Sequence, residues 1–230
     1  MKTLGIIGGI GPESTIEYYR QLIAAYQKRN LDGSYPAIFI NSIDMTKMLG
    51  FAGANELARL CDYLLAEVQK LADAGAETGL LASNTPHVVF DDLSRVSPIP
   101  LISIVETACQ TVQEAGLNKV GLFGTRFTMG GRFYSDVFSR VGITLISPQS
   151  EEQGFIHNRY MGELVRGVIL PETRRQMLEI VDRLIDEEHI QGLILGGTEL
   201  PLILRDEAYR GIPFFDTTRI HVEAVAEQIF

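Results

Sequence analysis

Four short stretches of this chain carry glycines, hydroxyls or ionisable side chains of the kinds that bind anions or move protons. They are Gly8-Gly9-Ile10-Gly11-Pro12, Ser83-Asn84-Thr85-Pro86-His87, Thr125-Arg126-Phe127-Thr128 and Gly196-Gly197-Thr198-Glu199. The first reads as a tight turn entering a helix. The free N–H groups there, Gly9 and Gly11 included, can hold a carboxylate at the positive helix end; the plainer reading is a turn and nothing more. As a dinucleotide fingerprint it is poor, because Ser14 stands where the third glycine belongs and Pro12 removes a donor. His87 and Glu199 are the candidates for proton transfer. A histidine titrates near pH ~6.5 and suits the work as it stands, whereas Glu199 needs a raised pKa. Ser83 needs an adjacent base before its hydroxyl can act. His87 also fits as a structural histidine at a helix start. Arg126, with Thr125 and Thr128, fits either an anion grip or a solvated surface.

Such loops need strands to carry them. Leu4–Gly8, Ala37–Asn41, Thr78–Ala82 and Pro100–Val105 are short apolar runs. Between them lie helical patterns: Ile16, Tyr19, Leu22, Ile23 and Tyr26 after Pro12, and Leu57 to Asp73 closed by Gly75. Strands of this kind alternating with helices imply a parallel sheet covered on both faces. The second half repeats the plan. Gly8 corresponds to Gly124, Ala82 to Gly196 and Ser103 to Asp216, at offsets of 116, 114 and 113 residues. Three motifs in one order at nearly one offset indicate an internal duplication. The expected fold is α/β with two similar lobes, each a parallel sheet flanked by helices, related by a pseudo-two-fold. The expected boundaries are 1–107 plus 216–230 for the first lobe and 108–215 for the second. Ligands of open parallel sheets bind beyond the carboxyl ends of the strands, so an active-site cleft is expected between the lobes.

Composition bounds the function. Hydrophobic residues make up 46% and charged residues 21% of 230, which supports a folded core and excludes intrinsic disorder. A net charge of −9 without a block of Lys or Arg excludes nucleic acid and anionic membrane as partners. The N-terminal apolar run is too short for a signal peptide or a span. Cys61 and Cys109 sit in helical patterns without zinc-type spacing and read as reduced thiols, so the expected setting is cytoplasmic, with no metal. His157, His189 and His221 read as non-catalytic.

The same stretches resemble the aspartate/glutamate racemase family along essentially the whole chain. Gly8-Gly9-Ile10-Gly11-Pro12 is similar to that family's Gly-Gly-Met-Gly-Pro, Ser83-Asn84-Thr85-Pro86-His87 to its Cys-Asn-Thr-x-His, and Gly196-Gly197-Thr198-Glu199 to its Gly-Cys-Thr-Glu. The resemblance implies a cofactor-independent amino-acid racemase, free of pyridoxal phosphate and metal, forming a homodimer and binding a small acidic amino acid or related carboxylate. It implies two cysteines working on opposite faces of the substrate α-carbon, and matches those positions to Ser83 and Gly197. Neither residue can replace a thiol, and Cys61 and Cys109 match neither motif. His87 or Glu199 is then left as base, acting through Ser83 or water, although the family's glutamate orients its neighbours. Asn84, Thr85, Thr125, Thr128 and Thr198 match positions that hold substrate, and Arg166 matches a cation that grips a carboxylate. Lys47 lies near a second such cation, in looser register. Two alternatives follow: an inactive relative that binds a small carboxylate, or a one-sided lyase or isomerase.

Overall fold

A computed structural model describes residues 2–230, and the chain falls into two compact units, Met1–Ile104 with His221–Phe230 and Val105–Ile220. The first unit opens β1 (Leu4–Gly8), α1 (Pro12–Arg29), β2 (Ile38–Ser42), α2 (Met45–Gly53), α3 (Leu57–Asp73) and β3 (Thr78–Leu81). A 3-10 turn (Thr85–Val89), α4 (Phe90–Val96) and β4 (Leu101–Ile102) follow, and α5 (Ile104–Glu114) leads into the second unit. There the order is β5 (Lys119–Gly124), α6 (Arg126–Gly130), α7 (Arg132–Ser139), β6 (Thr144–Ile146) and α8 (Ser150–Gly162). Next come a 3-10 turn (Leu164–Arg166), α9 (Pro171–Asp186), β7 (Leu193–Gly196), α10 (Leu200–Ile203), β8 (Ala208–Tyr209), β9 (Ile212–Asp216) and α11 (Thr217–Ile229).

The sheets run β2-β1-β3-β4 and β6-β5-β7-β9-β8. Buried central strands such as β1 and β3 have no residue facing water, so they read as apolar runs rather than alternations. Leu4 and Ile6 pack with Tyr18 and Leu22 of α1 and with Val222, Val225 and Ile229 of α11. A Cβ at Gly5 would lie 3.1 Å from Leu71 of α3, which covers the opposite face. In the second unit, Phe123, Leu193 and Leu195 pack against Ile156 of α8 and Met177, Val181 and Leu184 of α9.

The strand pairings give the repeat its geometry. Ile7 lies opposite Leu81 and Leu80 opposite Ile102 in one sheet; Phe123 lies opposite Leu195 and Ile194 opposite Phe215 in the other. The offsets of 116, 114 and 113 residues carry each pair onto its counterpart. Both units therefore share strand order and register, which a chance likeness of apolar runs would not produce.

Three elements differ from expectation. The fourth strand pairs only at Leu101–Ile102, not over Pro100–Val105. The Ile102 carbonyl bonds to His221 Nε2 at 3.0 Å, and the Ile104 N–H donates to His87 Nε2 at 3.3 Å. That N–H is one of the unpaired donors that begin a helix, so His87 starts α5 where a strand was expected to continue. The second sheet is not wholly parallel: β8 pairs antiparallel with β9. Arg210 (φ 48°) and Gly211 (φ 86°) make the two-residue turn, both left-handed as a tight hairpin requires. Finally, α2 was not foreseen, because Gly50 and Gly53 obscure its period. Asp44 starts it, its Oδ1 accepting from the N–H of Thr46 (2.8 Å) and Lys47 (3.2 Å). Asp44→Ala is expected to cost about 1 kcal/mol in urea unfolding; an unchanged midpoint would show that the cap is not made.

Candidate active site

The Gly8–Pro12 turn is built on packing as much as on conformation. Gly9 (φ 78°) and Gly11 (φ 83°) are left-handed. A Cβ at Gly9 would sit 2.5 Å from the Ile43 carbonyl oxygen and 2.7 Å from its nitrogen, so no side chain fits. The Gly9 N–H donates to Thr15 Oγ1 at 2.8 Å, so it is not one of the free donors expected for a carboxylate. The Gly11 N–H has no partner among the described residues and remains available. Ser14 donates to the Ala82 carbonyl at 2.8 Å, tying the start of α1 to the end of β3. Its side chain thus points into the protein where a dinucleotide fold would bring backbone close to phosphate.

At the end of β3, Ser83, Asn84, Thr85 and His87 are all buried. His87 Nε2 accepts the Ile104 N–H, which makes Nδ1 the protonated nitrogen; Nδ1 donates to the Ser83 carbonyl at 3.0 Å. Its ring stacks on Phe90 at 4.8 Å. Burial, with the nearby His221 second, pushes its pKa down to about 3. His87 is therefore a neutral structural histidine with both nitrogens engaged, and the expectation that it serves as a base is corrected. The Ser83 hydroxyl has no hydrogen-bond partner among the described residues, so no base activates it. His221 is also structural: Nε2 donates to the Ile102 carbonyl and Nδ1 accepts from Tyr18 Oη at 2.9 Å.

In the second unit, Thr125 caps α6, its Oγ1 3.3 Å from both the N–H and the hydroxyl of Thr128. After β7, Gly197 faces the ring of Tyr160: a Cβ there would lie 2.5 Å from Tyr160 Cε2. Tyr160 Oη donates to Glu199 Oε2, and Thr198 Oγ1 donates to the same oxygen at 2.7 Å. All three side chains are buried. Burial first, and the Glu199 charge second, push the Tyr160 hydroxyl well above its usual range, so it stays a donor. Glu199 Oε1 accepts from no described residue and is not sealed from solvent. Arg126 and Arg166 are exposed, and neither guanidinium pairs with a carboxylate among the described residues. The Arg126 backbone N–H donates to His157 Nδ1 at 3.3 Å. Lys47 lies over the Tyr63 ring at 4.5 Å.

The family model of the Asp/Glu/Hydantoin racemases matches residues 7–225. The chain belongs to that family. The crystal structure of a candidate Asp/Glu racemase from Yersinia pestis is similar to it with a TM-score of 0.88 and 30% identity, covering 99% of each chain. That of an aspartate racemase homologue from Pyrococcus horikoshii OT3 gives 0.83 and 32%, again over 99% of each. The broad specificity amino-acid racemase RacX of Bacillus subtilis is 22% identical over 94% of this chain and 92% of its own.

For a racemase-family protein, the acid–base inventory is short. Cys61 on α3 and Cys109 on α5 are free, but burial pushes both thiols up, away from the reactive thiolate. Ser83 lacks a base, Gly197 lacks a side chain and His87 lacks a free nitrogen. Glu199 keeps one open oxygen. Among the described residues, no group of His, Cys, Asp and Glu could hold a metal ion, and no helix is long and apolar enough to cross a membrane. Tyr160 was missed by sequence reasoning. It sits in the last turn of α8, 37 residues before Gly197, and nothing in the local pattern separates it from an ordinary core tyrosine.

Proposed function

We propose that this family member binds a small acidic amino acid or related carboxylate without a cofactor and carries out racemase-type α-proton chemistry on it, with Glu199 as its acid–base group. The observation that carries this reading is the whole-length family match together with a Glu199 carboxylate held on one oxygen and open on the other. The Gly11 N–H, the polar side chains of Asn84, Thr85, Thr125, Thr128 and Thr198, and the unpaired cation Arg166 are the groups we assign to ligand carboxylate and amino contacts. Arginine suits this because it grips a carboxylate through two parallel hydrogen bonds. A second reading, a binding protein without turnover, is favoured by the bare Gly197 and the unactivated Ser83.

Thermal unfolding with L- and D-aspartate and L- and D-glutamate tests the reading; a broader amino-acid panel follows from the broad specificity of the Bacillus subtilis relative. A ligand at 100 times its Kd should add about 2.7 kcal/mol. Arg166→Ala is expected to weaken binding by about 10- to 100-fold, the loss of a charge-assisted contact. If no amino acid stabilises the protein, the carboxylate reading is wrong. We further propose a homodimer; exposed apolar side chains such as Ile16 and Tyr19 on α1 and Phe39 and Ile40 on β2 suit a second copy, and sedimentation decides it.

A further inference from the structure

We propose that Tyr160 fills the side-chain space of Gly197 and aims Glu199 Oε1, making Glu199 the single proton-transfer group, so that the protein exchanges the α-proton of its ligand on one face without inverting it. This rests on the reading above, that a small carboxylate binds.

The placement is specific. Tyr160 comes from α8, and its ring lies against the Gly197 backbone closely enough that even a methyl group there would collide. Its hydroxyl and that of Thr198 both donate to Glu199 Oε2. Two donors on one oxygen fix the plane of the carboxylate and leave Oε1 as its one open lone-pair donor. A tyrosine in an apolar cluster with Ile156, Leu164 and Leu200 does not swing aside, so the aim is preorganised. Tyr160 touches the base and not the reacting carbon, which makes it a positioning residue.

Inversion at carbon needs an acid and a base on opposite faces. Of the four positions read as catalytic, Ser83 lacks a base, Gly197 lacks a side chain and both His87 nitrogens are engaged, which leaves the open oxygen of Glu199. The step that one carboxylate can perform balances without any co-reactant but water. Glu199 Oε1 takes the α-hydrogen as a proton, and the electron pair of the broken C–H bond moves into the ligand carboxylate as an enediolate. In heavy water the O–H formed on Glu199 becomes O–D. The deuteron then returns to the same face, restoring the carboxylate and leaving a C–D bond of unchanged configuration.

The test uses the full chain in heavy water with L-aspartate and L-glutamate, following the α-proton by NMR and the enantiomers by chiral chromatography. The expected result is loss of the α-proton signal while the amino acid stays L. Glu199→Gln should abolish exchange. Tyr160→Phe keeps the ring over Gly197 and removes only the donated hydrogen bond; exchange at saturating ligand should fall about 10- to 100-fold with the Kd held within about twofold, a split that a purely structural role would not give. Deuterium appearing together with the D-enantiomer would overturn the single-base proposal while keeping the racemase reading. Binding without exchange, or Tyr160→Phe exchanging at the wild-type rate, would overturn the proposal and keep the carboxylate reading. Absence of binding would overturn both.

Discussion

Gly197→Cys is expected to destabilise the protein by about 2–3 kcal/mol and to leave two-thiol chemistry unrestored. The new Cβ would enter within 2.5 Å of Tyr160 Cε2, and the backbone at 197 is not left-handed, so the cost is collision and not conformational strain. Overpacking of a filled core costs typically about 1–3 kcal/mol, and Tyr160 is poorly able to yield because its hydroxyl donates to Glu199 and it belongs to the buried apolar cluster that includes Ile156 and Leu200. Tyr160→Ala alone should cost about 4 kcal/mol, from an aromatic-sized cavity and a carboxylate deprived of a donor. The two changes made together should cost less than their sum by about 1–2 kcal/mol, since the thiol then occupies the vacated space. Urea unfolding of the four proteins in this cycle measures the coupling. Additive losses would mean that Tyr160 does not occupy the place of a side chain at 197. The same geometry says that Ser83→Cys with Gly197→Cys is not a fair trial of a lost racemase; Tyr160 must be shortened as well.

The scaffold was legible in the sequence because buried parallel strands and their offsets are recorded directly in the order of apolar runs. Leu57–Asp73 could be read to its ends, since a strong amphipathic period closes on a left-handed Gly75. The loops that carry Ser83, Thr125 and Glu199 were located because they are polar residues placed at strand ends. What was not legible were the partnerships. His87 has the residue type of a general base, and only its contacts with Ile104 N–H and the Ser83 carbonyl, 17 and 4 residues away, reveal a helix-capping imidazole. Gly9 looked like an open donor, yet Thr15 six residues on closes it. Gly197 looked like an empty position, yet Tyr160 of α8 fills it. Pairwise contacts across the fold leave no trace in local spacing, and these were the contacts that assigned roles.

The other large effect is on stability against acid. His87 and His221 are both fully buried and neutral, their pKa values pushed down by burial to about 3 and about 4. Unfolded histidines titrate near ~6.5. Between those limits the unfolded chain binds more protons than the folded one, so stability is complete above pH ~6.5 and is lost as the pH falls. From pH 7 to pH 5 each histidine should remove about 2 kcal/mol, hence about 4 kcal/mol for the pair, an expectation that holds wherever the folded values lie below 5. The paired carboxylates, Glu67 with Lys70 and Glu152 with Arg183, are held below the usual carboxylate range and add their own loss only at more acid pH. Both histidines lie in the unit formed by Met1–Ile104 and His221–Phe230, so its unfolding transition is the one to follow. His87→Gln can still accept from Ile104 N–H and donate to the Ser83 carbonyl, and His221→Gln can serve Tyr18 and Ile102, without gaining charge. Each variant should lose about half of the pair's share of the pH dependence between 7 and 5, and the double variant that whole share, leaving the part due to His157, which burial also pushes down. A wild-type stability that is flat across that window would mean that the imidazoles are protonated in the folded protein, which would reopen His87 as a group able to exchange protons.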